Sequence, residues 1–363
     1  MRELMLNGWV GPPLVGTGLL PDLTIRSPIC AAGNWWNQDV THAPLDGQSA
    51  AIIATILAYQ AEDNLTARLS TDFGVNYGIP YCGVPGTQGL VTVRVYNSGA
   101  ESDPGPEGWT ATGSGWKESR YPIPVEAQTN LRYIELSGST NGDGHLLVLD
   151  VDNWILWEFV RTRWGGIFNS GTLLPGKWTA SYVATWDLKT NDRRPEGWTS
   201  TDAAGLAVLP GLIRLDELTD PLTIPLPIRH ALRFAVPRAL ATYVYPASHA
   251  ASPTPPEPTG QPMGLRLRLK TTVNFGLLGI TNPYSIKLFR TMQTYGILLA
   301  DRCGPKNNMI FQGTYDTRWN DNGLFDVIVT DFHKLFVTDF EVVQRGWYPT
   351  GLPVPIRKTI IST

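Results

Sequence analysis

The sequence predicts a mostly β protein, a large β-sandwich of jelly-roll type with two helices and long Gly/Pro-rich loops. Three observations carry that prediction. Gly and Pro supply 36 and 29 of the 363 residues, well above their combined average of roughly 12%. Breakers at that frequency exclude a coiled coil or helix bundle, and the lack of a period-three Gly repeat excludes collagen. Hydrophobic residues are 42% of the chain, with 13 Trp, and many short segments alternate with period two. Helical spacing is confined to two windows. No repeat of fixed period is visible, which argues against a propeller. No linker divides the chain. Residues 34–345 therefore read as one β-rich domain, with an irregular arm at 1–33 and a tail at 346–363.

The elements follow in order. Residues 1–33 are rich in Gly, Pro and Leu without period. A first helix is expected over 49–60, capped by Ser49, with Ile52, Ile53 and Ile56 at helical spacing. Residues 64–70 and 90–96 alternate as strands do, and 97–120 reads as one long loop. Residues 145–149 and 154–160 form a hairpin around an Asp/Asn turn. Single strands are expected at 177–187, 230–236, 242–245 and 265–270. A second helix is expected over 283–300, with Asn282 as cap and Pro283 at its first position. Further strands are expected in 324–345.

Charge narrows the partners. Lys and Arg number 29 against 32 Asp and Glu, and no basic tract exists, so nucleic acid is not an expected partner. No apolar run is long enough to insert into a membrane. Charged residues are 17%, below the usual 25% or so. A weakly charged surface with many Trp, Asn, Thr and Ser suits an extracellular protein that meets a polysaccharide. The first residues lack the apolar stretch of a secretion signal. Cys30, Cys82 and Cys303 leave two readings open, one disulfide with a free thiol or three buried thiols.

Four sets of residues carry candidate chemistry. Asp150 and Asp152 lie on one face if extended, roughly 7 Å apart, between the two carboxylate spacings used by glycoside hydrolases. Glu158 joins them across the hairpin, and mutual repulsion would raise one pKa to make a general acid. Ordinary turn chemistry or calcium-type ligation is the competing reading. His145, His230 and His249 sit at predicted strand ends. If they converge, they can assist acid–base chemistry or hold a divalent metal with an Asp. Arg233, Arg266 and Arg268 lie on strands, where a cationic stripe can hold acidic sugars; a lyase would use such an arginine with a His base. Trp35, Trp36, Trp109, Trp116, Trp198 and Trp319 fall in expected loops and suit stacking on sugar faces. No GxSxG, Walker A, HExxH or dinucleotide fingerprint is present.

These residues fall within an ordered series of motifs. It runs from Asn34-Trp35-Trp36-Asn37 through Gly78-Ile79-Pro80-Tyr81, Asp103-Pro104-Gly105-Pro106 and Tyr121-Pro122-Ile123-Pro124 to the block from Gly142-Asp143-Gly144-His145 to Glu158. It continues with Trp198-Thr199-Ser200, Asp202-Ala203-Ala204-Gly205-Leu206, Arg229-His230, Tyr245-Pro246-Ala247-Ser248-His249 and Asp316-Thr317-Arg318-Trp319. Over about 34–345 the series resembles a largely uncharacterised family of secreted β-rich proteins from soil and environmental bacteria. Residues 107–120 look like an insertion relative to it. Members are often fused to carbohydrate-binding or fibronectin-like modules, so the resemblance implies glycan work outside the cell. The expectation is therefore a carbohydrate-active enzyme, most simply a glycoside hydrolase. The alternative is a structural or glycan-binding protein that self-assembles through residues 1–33.

Overall fold

The computed structural model describes residues 15–96, 101–112, 116–138, 142–168, 170–250, 259–304, 308–352 and 355. The chain is β-rich, as its turn density and alternation predict. Among the described residues, sixteen strands form three sheets.

The central sheet has the order Gly18–Leu19, Tyr81–Val84, Leu146–Asp150, Ile155–Val160, Tyr182–Asp187. Its hairpin strands read as near-continuous apolar runs because both faces are covered. Leu146 and Val148 point into one apolar layer, Leu147 and Leu149 into another. The first layer lies against an outer sheet of Thr110–Ala111, Lys117–Tyr121, Val91–Val95, Leu173–Ala180 and Arg163–Gly166, whose Val93, Tyr121 and Trp178 fill it. The second lies against a six-stranded sheet of Phe340–Val342, Arg266–Leu269, Ile297–Arg302, Leu232–Val236, Met309–Gln312 and Leu69–Asp72. Helices Ser49–Glu62, Pro283–Thr294 and Leu324–Phe332 pack on strands of this third sheet.

Four ladders are parallel: Tyr81–Val84 with Leu146–Asp150, Val91–Val95 with Leu173–Ala180, Leu232–Val236 with Ile297–Arg302, and Met309–Gln312 with Leu69–Asp72. In the third sheet Leu298 stands in register with Arg233 on one side and Arg266 on the other. Lateral neighbours share a face, so the two arginines lie on the same side, two strands apart.

Several elements differ from expectation. The first helix is capped at Gln48, and the Ser49 hydroxyl instead accepts the Val342 N–H. Residues 64–68 turn, with positive φ at Asn64 and Ala67, and the strand begins at Leu69. The expected loop 97–120 contains Thr110–Ala111 and part of Lys117–Tyr121. The expected strand 177–187 is two strands in two sheets, broken at Ser181, where the alternation of Trp178, Ala180 and Val183 slips. The second helix stops at Thr294, because Gly296 (φ +70) redirects the chain into strand Ile297–Arg302. Three further helices form among the described residues, Gly74–Tyr77, Leu215–Thr219 and Leu324–Phe332. The last replaces expected strands.

Residues 15–33 do not stand off the domain. Leu23, Ile29 and Cys30 are buried in the main core, Gly18–Leu19 pairs with Tyr81–Val84, and the Trp154 indole N–H donates to the Ile29 carbonyl. The rest of the expected arm, 1–14, lies outside the described residues, as does most of 353–363. All three cysteines are free, Cys30 and Cys82 buried, and burial pushes the Cys303 thiol up to about 12.

Candidate functional site

Between the central and third sheets the apolar packing is interrupted by a cluster of charges. Leu156 faces the third sheet, and by strand parity so does Glu158. Arg233 enters from the opposite side, and the segment 199–209 closes the space between them.

That segment is folded by its own small polar residues. The Thr199 hydroxyl donates to the Asp202 carbonyl and the Ser200 hydroxyl to the Leu206 carbonyl. Asp202 Oδ1 accepts N–H groups from Ala204 and Leu206, both at 3.0 Å. Gly205 sits at φ +72, and a Cβ there would strike the Ser248 hydroxyl and the Trp198 carbonyl, so this turn requires Gly. With Oδ1 occupied, Asp202 directs Oδ2 at Arg233.

Asp301 does the same from the end of its strand. Its Oδ1 accepts the Ala203 and Arg302 N–H groups, at 3.3 and 2.7 Å. Arg233 Nη2 lies 3.5 Å from Asp202 Oδ2 and 3.6 Å from Asp301 Oδ2. The two carboxylate oxygens are therefore at most about 7 Å apart. Arg233 Nε donates to Gln312 Oε1 at 2.8 Å, whereas Nη1 and Nη2 make no hydrogen bond. Asp202 and Arg233 have fully buried side chains; that of Asp301 is 15% exposed.

Burial raises both carboxyls, Asp202 to about 6 and Asp301 to about 7, with the Asp202 charge adding to the rise at Asp301 and Arg233 opposing it. Exposed Asp143 also pushes Asp301 up. Half-buried Asp72 is raised by burial to about 7, with Glu135 adding to the shift. One face of this cluster thus holds a proton near neutral pH in contact with solvent.

Glu158 and His145 hold the cluster together from behind. Glu158 is fully buried and accepts N–H groups from Val208 (2.8 Å), Leu209 (2.9 Å) and the Trp186 indole (3.0 Å). Burial raises its pKa. Its oxygens are filled, so the expected catalytic role gives way to a structural one: it clamps 208–209 to the central sheet. His145 has Nδ1 2.6 Å from Glu135 Oε2 and Nε2 2.9 Å from the Thr201 carbonyl. Both partners are acceptors, so both ring nitrogens donate. Burial opposes the imidazolium, and Glu135 more than offsets this, raising His145 to about 9. It is a fixed cation rather than a proton shuttle. His249 is half-buried and its Nδ1 meets the Ala203 carbonyl at 2.9 Å, on the outer side of the same segment.

The other expected residues do not join this site. Asp150 is at the far end of its strand from His145, roughly 16 Å away at the strand rise. Its Oδ1 accepts the Asp152 and Asn153 N–H groups, its Oδ2 accepts the Asn153 amide, and Asp152 accepts the Gly86 N–H. This is turn chemistry. Asp150→Asn should leave any activity unchanged and lower stability by about 1 kcal/mol, the size of one net hydrogen bond. Loss of activity in a folded Asp150→Asn protein would return that residue to the site.

His230 pairs instead with Glu217 (2.8 Å), which also binds Arg214 (2.6 Å). Trp35, Trp36 and Trp319 are buried core side chains, not stacking platforms. Trp109 is half-buried against the outer-sheet core. Trp198 is half-buried, lies under the Arg194 guanidinium at 5.4 Å, and accepts from Ser248, the neighbour of His249. It is the one expected stacking residue beside the site. Arg266 is buried, two strands from Arg233. Among the described residues no group of three His, Cys, Asp or Glu is arranged to hold a metal ion.

Sequence reasoning did not select Asp202, Asp301 or Glu135. The signal for Asp202 was present in the small, polar, Gly-containing segment 199–205, which is the composition of a tight, side-chain-capped loop. Asp301 was hidden because helical spacing was carried on to residue 300. No family model, no curated protein and no solved structure matches this chain.

Proposed function

We propose that this protein is a glycoside hydrolase acting on an extracellular polysaccharide, with Asp301 as general acid and exposed Asp143 as the second carboxylate. One observation carries the reading: of the two carboxyls on Arg233 only Asp301 is partly exposed, and exposed Asp143 lies near enough to raise it. Two carboxyls in unlike surroundings are the arrangement that separates acid from base in such enzymes. Trp198 supplies an aromatic face beside them. Secretion and kinship with the glycan-associated family outlined by the motif series belong to the same reading. We also read the facing central and outer sheets as the sandwich of jelly-roll type, modified by the parallel ladder in each.

The test is the pH dependence of reducing-end release from a panel of plant and microbial polysaccharides. A raised carboxyl delivers its proton only below its own pKa, so turnover should fall as pH rises through about 7. Turnover that climbs steadily above that point would exclude Asp301 as the acid. Half-exposed Trp198 also favours a second reading, glycan binding without chemistry. That reading expects retention on glycan columns with no product at any pH.

A further inference from the structure

Three recesses join on the helical side of the third sheet. The first, about 240 Å³, lies between Asp22, Asp220 and Arg318. The second, about 390 Å³, lies between Thr219, Tyr284 and Asn322, and the third, about 320 Å³, between Thr281, Asp326 and Lys334. Thr219 and Arg318 border the first and the second, and Asn282 and Val327 border the second and the third. The three therefore form one open groove, close to the upper end of the roughly 300–1,000 Å³ of ligand clefts.

Helices wall it. On Leu324–Phe332, the residues Leu324, Val327, Thr330 and Asp331 line it at three- and four-residue spacing, which is one helix face. Phe332 of the same helix packs on Phe311 at 5.1 Å. The next residue, Gln312, holds Arg233, and successive strand residues point to opposite faces. The third sheet thus stands between this groove and the carboxyl cluster.

The lining is chemistry suited to sugar hydroxyls. Exposed Asn322, Thr281 and Thr330 both donate and accept, and the Tyr284 ring is seated on the main core with part of its face open. The cations are already neutralised, Arg318 by Asp316 at 2.6 Å and Lys334 by Asp331 at 2.7 Å. Asp22, Asp220, Asp321 and Asp326 form no ion pair among the described residues, so the groove repels anions. No strand edge lines it for an added peptide strand, and its floor lacks the apolar stripe that a docked helix needs.

We propose that this groove binds an uncharged polysaccharide strand and turns away acidic ones. It goes beyond the hydrolase reading and does not rest on it, because binding alone tests it. The probes are neutral hexamers of glucose, xylose, mannose and galactose, a uronic-acid hexamer, and hexalysine. Each is titrated into the full chain by calorimetry, and hydrogen exchange is followed in the bound state.

At least one neutral hexamer should bind, and the uronic-acid hexamer should bind about tenfold more weakly or less. Exchange should slow in 215–223 and 324–332 and stay unchanged in 199–209. Tyr284→Ala should weaken the neutral hexamer about tenfold through the lost ring face. Val327 is 40% exposed, so Val327→Arg fills the junction of two recesses without entering the core. It should weaken binding severalfold, and it reports even if Tyr284→Ala unfolds. Asp321→Asn with Asp326→Asn keeps the acceptors and should admit the uronic-acid hexamer. Failure of all four neutral hexamers to bind overturns the groove, as does neutral binding that survives both Tyr284→Ala and Val327→Arg. Equal affinity for the uronic-acid hexamer, hexalysine binding tighter than every sugar, or protection confined to 199–209 overturns it too. Groove binding without product leaves it standing and removes the hydrolase.

Discussion

Asp301→Asn is expected to lower polysaccharide hydrolysis by roughly 10²–10⁴-fold, the range supplied by a positioned proton donor. The substitution is nearly isosteric. The amide oxygen that replaces Oδ1 can still accept the Ala203 and Arg302 N–H groups, so the strand end and the 199–209 segment stay in place. What disappears is the proton. The loss should therefore depend on the leaving group. A sugar alkoxide needs protonation as the glycosidic bond breaks, whereas an activated aryl leaving group does not. The variant should keep most of its activity on an activated aryl glycoside and lose it on the polymer. Asp143→Asn should lose both, because a base or nucleophile is needed whatever leaves. An Asp301→Asn protein that releases sugar at the wild-type rate, or fails equally on both substrates, removes Asp301 from the acid's role.

How much of this was legible in the sequence depends on the distance over which each signal acts. The hairpin Leu146–Asp150 and Ile155–Val160 was readable because an Asx-rich turn between two apolar runs is a local code. The helix at Pro283 was readable from its Asn cap, whose Oδ1 accepts the Tyr284 and Ser285 N–H groups. Its end was not, because residues 295–300 suit helix and buried strand alike, and only pairing with Leu232–Val236 decides. Lys287 places its Nζ on the Glu217 and Leu218 carbonyls and the Thr223 hydroxyl, a burial that helical spacing alone does not reveal.

The site is non-local in the same sense. Asp202, Arg233 and Asp301 are separated by tens of residues and meet only when Leu232–Val236 pairs with Ile297–Arg302 and the 199–209 segment bonds to that sheet. His145 and His249 stand out in the sequence as rare residues at expected strand ends and Arg233 as a cation on a strand, and tertiary packing brings them to one segment. Asp150 and Asp152 were selected for their spacing, which a turn also produces.

Arg233→Met carries the largest expected effect on stability. Methionine fills much of the space but leaves Asp202, Asp301 and Glu158 without the cation that now opposes their burial. Breaking a buried pair from one side typically costs 3–5 kcal/mol, a large part of the roughly 5–15 kcal/mol that holds a domain folded. The size should depend on pH, and the sign follows from linkage. Asp202 and Asp301 have folded pKa values near 6 and 7, above the ordinary 3.9 or so. A raised folded pKa contributes stability that is complete below the unfolded value and lost as pH rises through the folded one. In the wild type this contribution therefore drains away between about pH 4 and pH 7, and Arg233 limits the loss by favouring the ionised forms. Without Arg233 both values rise further, so the variant keeps losing stability into more alkaline solution. At pH 5 the carboxyls are largely protonated in the fold and need no counter-ion, and the penalty should shrink towards the cavity and hydrogen-bond terms, including the Gln312 acceptor left without its donor. Urea midpoints of the two proteins at pH 5 and pH 8 measure the difference. A penalty that is the same at both values would mean that Arg233 acts through packing, and that the carboxyl pair is not electrostatically tied to it.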